Sequence, residues 1–309
     1  MQKTSIFQRP LWVSLFALTA AVVWGWAYPL IKLGFAEYHI LPHMTGSKML
    51  FAGIRFFISG LIILTMARLT GRQFALRSDA PGSKVGAHLY LLLFALLNTT
   101  LHYICFYVGL SYSQGSRAAI LNSMSVFTVV ILSCVFFRSD RFTLRKVAGC
   151  AVGIAGVLAL NLGGDESGSF TLLGDGMILL NALCGAFASL MTRGVASRVD
   201  VFVGTGYSLA LGGALLVIPA LLLGGTLPNI TPWGLVIMLL LIGISTTGFA
   251  LYNKLLSCNP MGRVAIYNSL IPVVGALTSC LCLGETFHLK YLIAGTLAAG
   301  GIYIINKGK

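Results

Sequence analysis

Ionisable side chains are scarce inside the apolar stretches of this sequence, and the few that occur set what chemistry it can do. Arg55 falls about six residues inside one stretch and Lys32 lies near the end of another, while His102 is the one group there that titrates near neutral pH. Every acid (Glu37, Asp79, Asp140, Asp165, Glu166, Asp175, Asp200, Glu285) falls in a connecting segment or at a helix end. No HExxH, no paired acids and no Ser/His/Asp set lies within an apolar stretch, so hydrolysis there has no catalytic groups. GxxxxGK[ST] is absent, which removes a P-loop nucleotide site. No CxxC occurs among the cysteines, which read as small hydrophobes. We expect no enzyme, no metal and no cofactor.

What remains is recognition. The centrally placed polar groups are Asn98, His102, Asn122, Asn181, Tyr207, Tyr267 and Asn268. An amide in hydrocarbon either bonds a neighbouring helix or lines a wet cavity. Trp24 and Tyr28 are four residues apart, hence on one helix face, and Tyr103 adds a further aromatic next to His102. Trp24, Tyr28, Arg55, Asn98, His102, Tyr103, Asn122, Asn181, Tyr207, Tyr267 and Asn268 are therefore the candidate substrate contacts. For Arg55 two readings stand: an anion-binding or gating group, or a side chain that snorkels to the headgroups. Pro272 removes a backbone hydrogen bond and frees the carbonyl of Asn268, which predicts a kink and a candidate hinge.

The elements that must position these residues follow from composition. The chain of 309 residues is 57% hydrophobic and only 9% charged, too little charge for a soluble surface. Ten apolar stretches are long enough to span a bilayer: 12–33, 49–67, 86–108, 116–137, 145–162, 172–192, 201–223, 232–253, 264–283 and 288–306. Lipid offers the backbone no partner, so spans of this length form helices, and the expected fold is an all-α bundle of ten transmembrane helices. The net charge of +13 does not imply nucleic acid, because it concentrates in loops of one parity. Lys3, Arg9, Arg68, Arg72, Arg77, Lys84, Arg138, Arg141, Arg145, Lys146, Arg193, Arg198, Lys254, Arg263, Lys307 and Lys309 fall on one side; only Lys32, Lys48, Arg117 and Lys290 fall on the other. Both termini are expected in the cytoplasm, in a multi-pass protein of the cytoplasmic membrane.

With the chain divided into halves 1–165 and 166–309, residues 116–161 of the first align with 261–306 of the second at an offset of 145: Val129/Val274, Leu132/Leu277, Phe142/Phe287, Leu144/Leu289, Gly156/Gly301 and Asn161/Asn306 match, and Asp140 falls on Glu285. Five spans per half is an odd number, so the second half enters from the opposite side, which predicts two inverted five-helix repeats. In this register Asn122-Ser123 coincides with Tyr267-Asn268.

The sequence resembles the drug/metabolite transporter superfamily, specifically its ten-helix EamA-type carriers, over essentially its whole length. Three passages carry the likeness: Trp24-Gly25-Trp26-Ala27-Tyr28-Pro29-Leu30-Ile31-Lys32; Phe51-Ala52-Gly53-Ile54-Arg55-Phe56; and Ile271-Pro272-Val273 leading to Leu283-Gly284-Glu285, closed by Gly300-Gly301. The first half departs from it, with Phe127 where Pro272 stands and Arg138-Ser139-Asp140 in place of Leu-Gly-Glu. The resemblance implies movement of small metabolites through a central cavity by alternating access. With aromatics, amides and no acid at membrane depth, the expected substrate is a neutral or zwitterionic metabolite such as an amino acid, moved by facilitated diffusion, exchange or weak coupling through His102. An anionic or phosphorylated metabolite held by Lys32 and Arg55 is the alternative within transport. A non-transporting membrane subunit or receptor is the alternative outside it. The expected partners are a small molecule and the lipid bilayer.

Overall fold

The structure, a computed structural model, describes residues 5–77, 83–136, 143–159, 170–259, 264 and 266–306. Among them there are helices and no strands. Seven helices are long and apolar enough to cross a membrane: α1 (Pro10–Glu37), α2 (Thr45–Leu69), α3 (Lys84–Tyr112), α4 (Gly115–Phe136), α6 (Leu172–Ala196), α7 (Val201–Leu222) and α8 (Pro232–Cys258). Three expected spans appear as shorter helices: α5 (Leu144–Ala159), α9 (Leu270–Leu283) and α10 (Leu289–Asn306). Arg138-Ser139-Asp140, Phe142, Asn161, Asp79, the Asp165-Glu166 boundary, and the loop charges Lys3, Arg141, Arg263, Lys307 and Lys309 lie outside the described residues.

Local sequence fixes the helix ends. Ser83, Thr171, Asp200 and Thr231 cap α3, α6, α7 and α8 by accepting from the N–H of Gly86, Gly174, Phe202 and Gly234, which satisfies donors the first turn leaves orphaned. Gly284, at φ 64°, ends α9 in a left-handed conformation that a side chain would strain, and so turns the chain toward α10.

Small residues set the packing. A Cβ on Gly60 would run into the backbone of Ala210, and one on Gly213 into that of Phe57, so α2 and α7 touch backbone to backbone. Gly149 and Gly301 bring α5 and α10 equally close. The other close pairs are α1 with α8 and α9, α4 with α9, and α6 with α3 and α4. An aromatic core of Tyr28, Phe35, Phe51, Phe56, Tyr103, Phe106, Tyr107 and Phe249 fills the centre, mostly in edge-to-face contacts.

Three helices are interrupted at mid-depth, and each break carries polar residues. α3 contains a π-helical turn at Leu96–Thr100. α4 is broken at Ser123, directly after Asn122, where the Ser123 hydroxyl donates to the carbonyl of Ile120 at 2.6 Å. α9 is preceded by a 3-10 turn, Ile266–Ser269, that holds Asn268. Pro272 is the third residue of α9, so its missing N–H falls at the junction between the two helix types rather than in a helix middle.

Candidate substrate cavity

These breaks surround a cavity of about 220 Å³. α1 contributes Trp24, Ala27, Tyr28 and Ile31; α2 contributes Arg55; α3 contributes Asn98, His102, Tyr103 and Phe106. Asn122, Ser125, Val126, Val129 and Val130 come from α4, Gly185, Ser189 and Thr192 from α6, and Phe249, Tyr252, Asn253 and Leu256 from α8. Asn268 and Ile271 complete the middle, and the lining runs down to Lys146 and Ile305, which lie at the ends of α5 and α10. Those ends share a side with the start of α1: Asn259, just past α8, donates to the carbonyl of Phe7 at 2.8 Å, and Val13 and Ala17 cluster with Leu255 and Leu256. The cavity therefore reaches from the centre toward the face that holds the start of α1 and the end of α8.

Arg55 is 2% exposed and turned inward, so it does not reach the headgroups. Its Nε donates to Ser245 Oγ at 2.7 Å and to the Leu241 carbonyl at 3.1 Å, and its Nη1 donates to the Tyr107 hydroxyl at 2.9 Å. The guanidinium lies 4.8 Å from the centre of the Phe56 ring, which in turn stacks at 3.9 Å on Tyr103. Among the described residues no carboxylate lies within 4.0 Å of it, and Nη2 has no protein acceptor.

The amides form short chains across helices. Asn181 Nδ2 donates to Asn122 Oδ1 at 2.7 Å, and Asn122 Nδ2 donates to the Tyr28 hydroxyl at 2.8 Å, tying α6, α4 and α1 together. Asn268 Nδ2 donates to the Tyr252 hydroxyl at 2.7 Å. Asn98 spends its amide on Ser208 at 2.9 Å, stitching α3 to α7 at the π turn. His102 is wedged against Gly185 with its Nδ1 unpartnered, 4.6 Å from the Tyr103 ring.

Of the candidate residues, Trp24, Tyr28, Arg55, Asn98, His102, Tyr103, Asn122 and Asn268 meet in this one cavity. Asn181 stands behind Asn122, fully buried. Tyr207 is 42% exposed on the outer side of α7, against Phe74, and Tyr267 pairs with Ser14 at 2.5 Å; neither lines the cavity. Lys32 is also elsewhere, 3.5 Å from Glu285. Sequence reading missed Asn253, which lines the cavity while donating to Thr205 Oγ1 at 3.0 Å, together with Tyr252 and Phe249. The signal for them was the four-residue spacing of Phe249 and Asn253, one face of α8.

The opposite end of the bundle carries a cluster of ionic contacts. Glu285 accepts from the backbone N–H groups of Gly115 at 2.8 Å and Ser116 at 3.0 Å and from the Ser116 hydroxyl at 2.7 Å. Burial alone pushes this carboxyl up, but those donors and Lys32 outweigh it and hold Glu285 below the usual carboxylate range. Beside it, Arg117 makes a two-point bond to the buried Asp175, at 2.9 Å through Nε and 2.7 Å through Nη2.

The family model described as "EamA-like transporter family" matches residues 11–162 and 172–307. The chain is 26% identical to the uncharacterized transporter YvbV of Bacillus subtilis, over 92% of this chain and 88% of that one. It is 27% identical to the uncharacterized inner membrane transporter YedA of Escherichia coli, over 97% and 92%. It is likewise 27% identical to a probable amino-acid metabolite efflux pump of Salmonella typhimurium, over 93% and 92%. A solved crystal structure shares the fold at a TM-score of 0.69 with 18% identity, over 94% of both chains.

Proposed function

This chain belongs to the EamA-like transporter family, and from that membership we propose that it is a secondary carrier of a small, amino-acid-like metabolite, working by alternating access. It is a membrane transporter; the substrate is the finer step. The observation that carries it is the cavity, with apolar walls at Val126, Val129, Phe249 and Ile271 and amide and hydroxyl groups at Asn98, Asn122, Ser125, Ser189 and Asn268. An apolar side chain carrying a compact polar head matches that division. The printed name of the Salmonella relative supports the same class.

The carrier consists of two inverted five-helix units, 1–165 and 166–309, with the cavity between them. Two separate matched segments support this, and so does the pattern of helix pairs. Exchanging α1–α5 with α6–α10 turns the α1/α9 pair into α6/α4 and the α1/α8 pair into α6/α3, and leaves α2/α7, α5/α10 and α4/α9 unchanged. Both termini face the cytoplasm, so the cavity opens inward and Glu285 closes the outer end. Trp24, Tyr28, Arg55, Asn98, His102, Tyr103, Asn122 and Asn268 contact the substrate, with Asn181 bracing Asn122, and Pro272 marks a hinge at the base of α9.

A thermal-shift panel of amino acids, sugars, nucleosides and sugar phosphates on the purified protein tests the reading. Stabilisation by apolar amino acids is expected. Stabilisation by sugar phosphates alone would replace it.

A further inference from the structure

We propose that the cavity selects its ligand by a carboxylate, bound at Arg55, and does not select for an amine. The inference rests on the amino-acid-like reading above and narrows it to monocarboxylates with an apolar tail, of which a free amino acid is one case.

A guanidinium at membrane depth is held at a cost unless something offsets its charge. Ser245, Leu241 and Tyr107 fix the orientation of Arg55 with neutral oxygens only, which anchors the group and leaves its charge unmatched. Nη2, with no protein acceptor among the described residues, belongs to a side chain that lines the cavity and is 2% exposed. A carboxylate arriving there gains a charge-assisted hydrogen bond in a low-dielectric setting. An ammonium gains no such partner. No Asp or Glu lines the cavity among the described residues, so a second positive charge would meet Arg55 with nothing acidic to separate them. What the cavity offers it is uncharged: hydroxyl and amide oxygens such as those of Ser125 and Asn268, and aromatic faces such as Trp24 and Tyr252.

Three probes of one shape separate the terms: leucine carries both charges, 4-methylpentanoate the carboxylate alone, and leucinamide the amine alone. Titration calorimetry of the purified full-length protein should show 4-methylpentanoate binding at least as tightly as leucine. Leucinamide should bind about ten- to a hundredfold more weakly. Arg55→Gln should weaken both carboxylates by about ten- to a hundredfold and should not weaken leucinamide, whose ammonium no longer meets a like charge. The wild-type ranking needs no variant, so a poorly folding Arg55→Gln does not block the test. Leucinamide binding as tightly as leucine would overturn the carboxylate anchor while leaving the amino-acid reading intact. Binding of 4-methylpentanoate with none of leucine would keep the anchor and remove amino acids as substrates. Binding of none of the three would remove both.

Discussion

The carboxylate of Glu285, in the loop between α9 and α10, accepts a 2.8 Å hydrogen bond from the backbone N–H of Gly115, 170 residues earlier in the chain. The bond spans the two halves and sits on the first N–H groups of α4, where a helix end favours negative charge. Lys32 of α1 joins from the other side at 3.5 Å, so one side chain gathers three helices at the closed end.

Removing that charge should loosen the closed end. In Glu285→Gln, a cysteine placed at Ser125 inside the cavity should become about ten- to a hundredfold more reactive toward an impermeant thiol reagent added from outside, the equivalent of 1.5 to 3 kcal/mol for charge-assisted bonds. The folded-state carboxyl is depressed, so its stabilising effect is fully present above the unfolded value near 4.3 and disappears only as pH falls through the lower folded value. With Glu285 in place, the labelling rate of the Ser125→Cys probe from outside, corrected for its thiolate fraction, should thus stay flat from pH 8 to about 5. A rise between pH 7 and 6 would show that another group holds the closure.

Arg117 and Asp175 are each about 2% exposed or less and bonded at two points. Asp175→Asn leaves a buried guanidinium without its counter-charge, and should lower stability by about 3 to 5 kcal/mol, read as a lower unfolding temperature in detergent. Arg117→Met combined with Asp175→Leu should recover much of the loss. An Asp175→Asn protein as stable as wild type would mean that the pair is not holding α4 to α6.

The amides act through the tyrosines they orient. Asn122→Ala frees the hydroxyl of Tyr28, and Asn268→Ala frees that of Tyr252, so each should weaken leucine binding by about two- to tenfold. Tyr207→Phe and Tyr267→Phe, outside the cavity, should leave affinity unchanged. An affinity loss at Tyr207 with none at Asn122 would move the site.

Orientation is tested by labelling on a background with the native cysteines replaced. Ile230→Cys, in the exposed segment before α8, should react with an impermeant reagent from outside, and Ser197→Cys, after α6, should not. The reverse order would invert the topology.

These relationships differ in how far sequence exposes them. Apolar length exposed the all-helical character and the seven described helices long enough to cross a membrane, because lipid leaves the backbone no other solution. Asn122 and Asn268 stood out because polar residues inside apolar stretches are few and the pair Asn122-Ser123 falls on Tyr267-Asn268 at the 145-residue offset; both asparagines fall at helix breaks. For Arg55 depth was readable but direction was not, since rotation of α2 about its axis depends on Gly53, Gly60 and their contacts with α7. Tyr207 shows the converse: a central tyrosine on the lipid side of α7 has the same sequence signature as one facing inward. Asn253 was hidden by its position at the end of an apolar run, where a polar residue is unremarked. The Glu285 closure was invisible because its partners are backbone N–H groups, which carry no residue identity.

The most direct test of a carrier is counterflow. Liposomes containing the purified protein are loaded with unlabelled leucine and diluted into a trace of labelled leucine, with no ion gradient imposed. A carrier with one alternately exposed site predicts transient accumulation of label above its equilibrium level, reduced by excess 4-methylpentanoate and diminished in Arg55→Gln. Label that only equilibrates with no overshoot, at the rate of protein-free liposomes, would contradict the account.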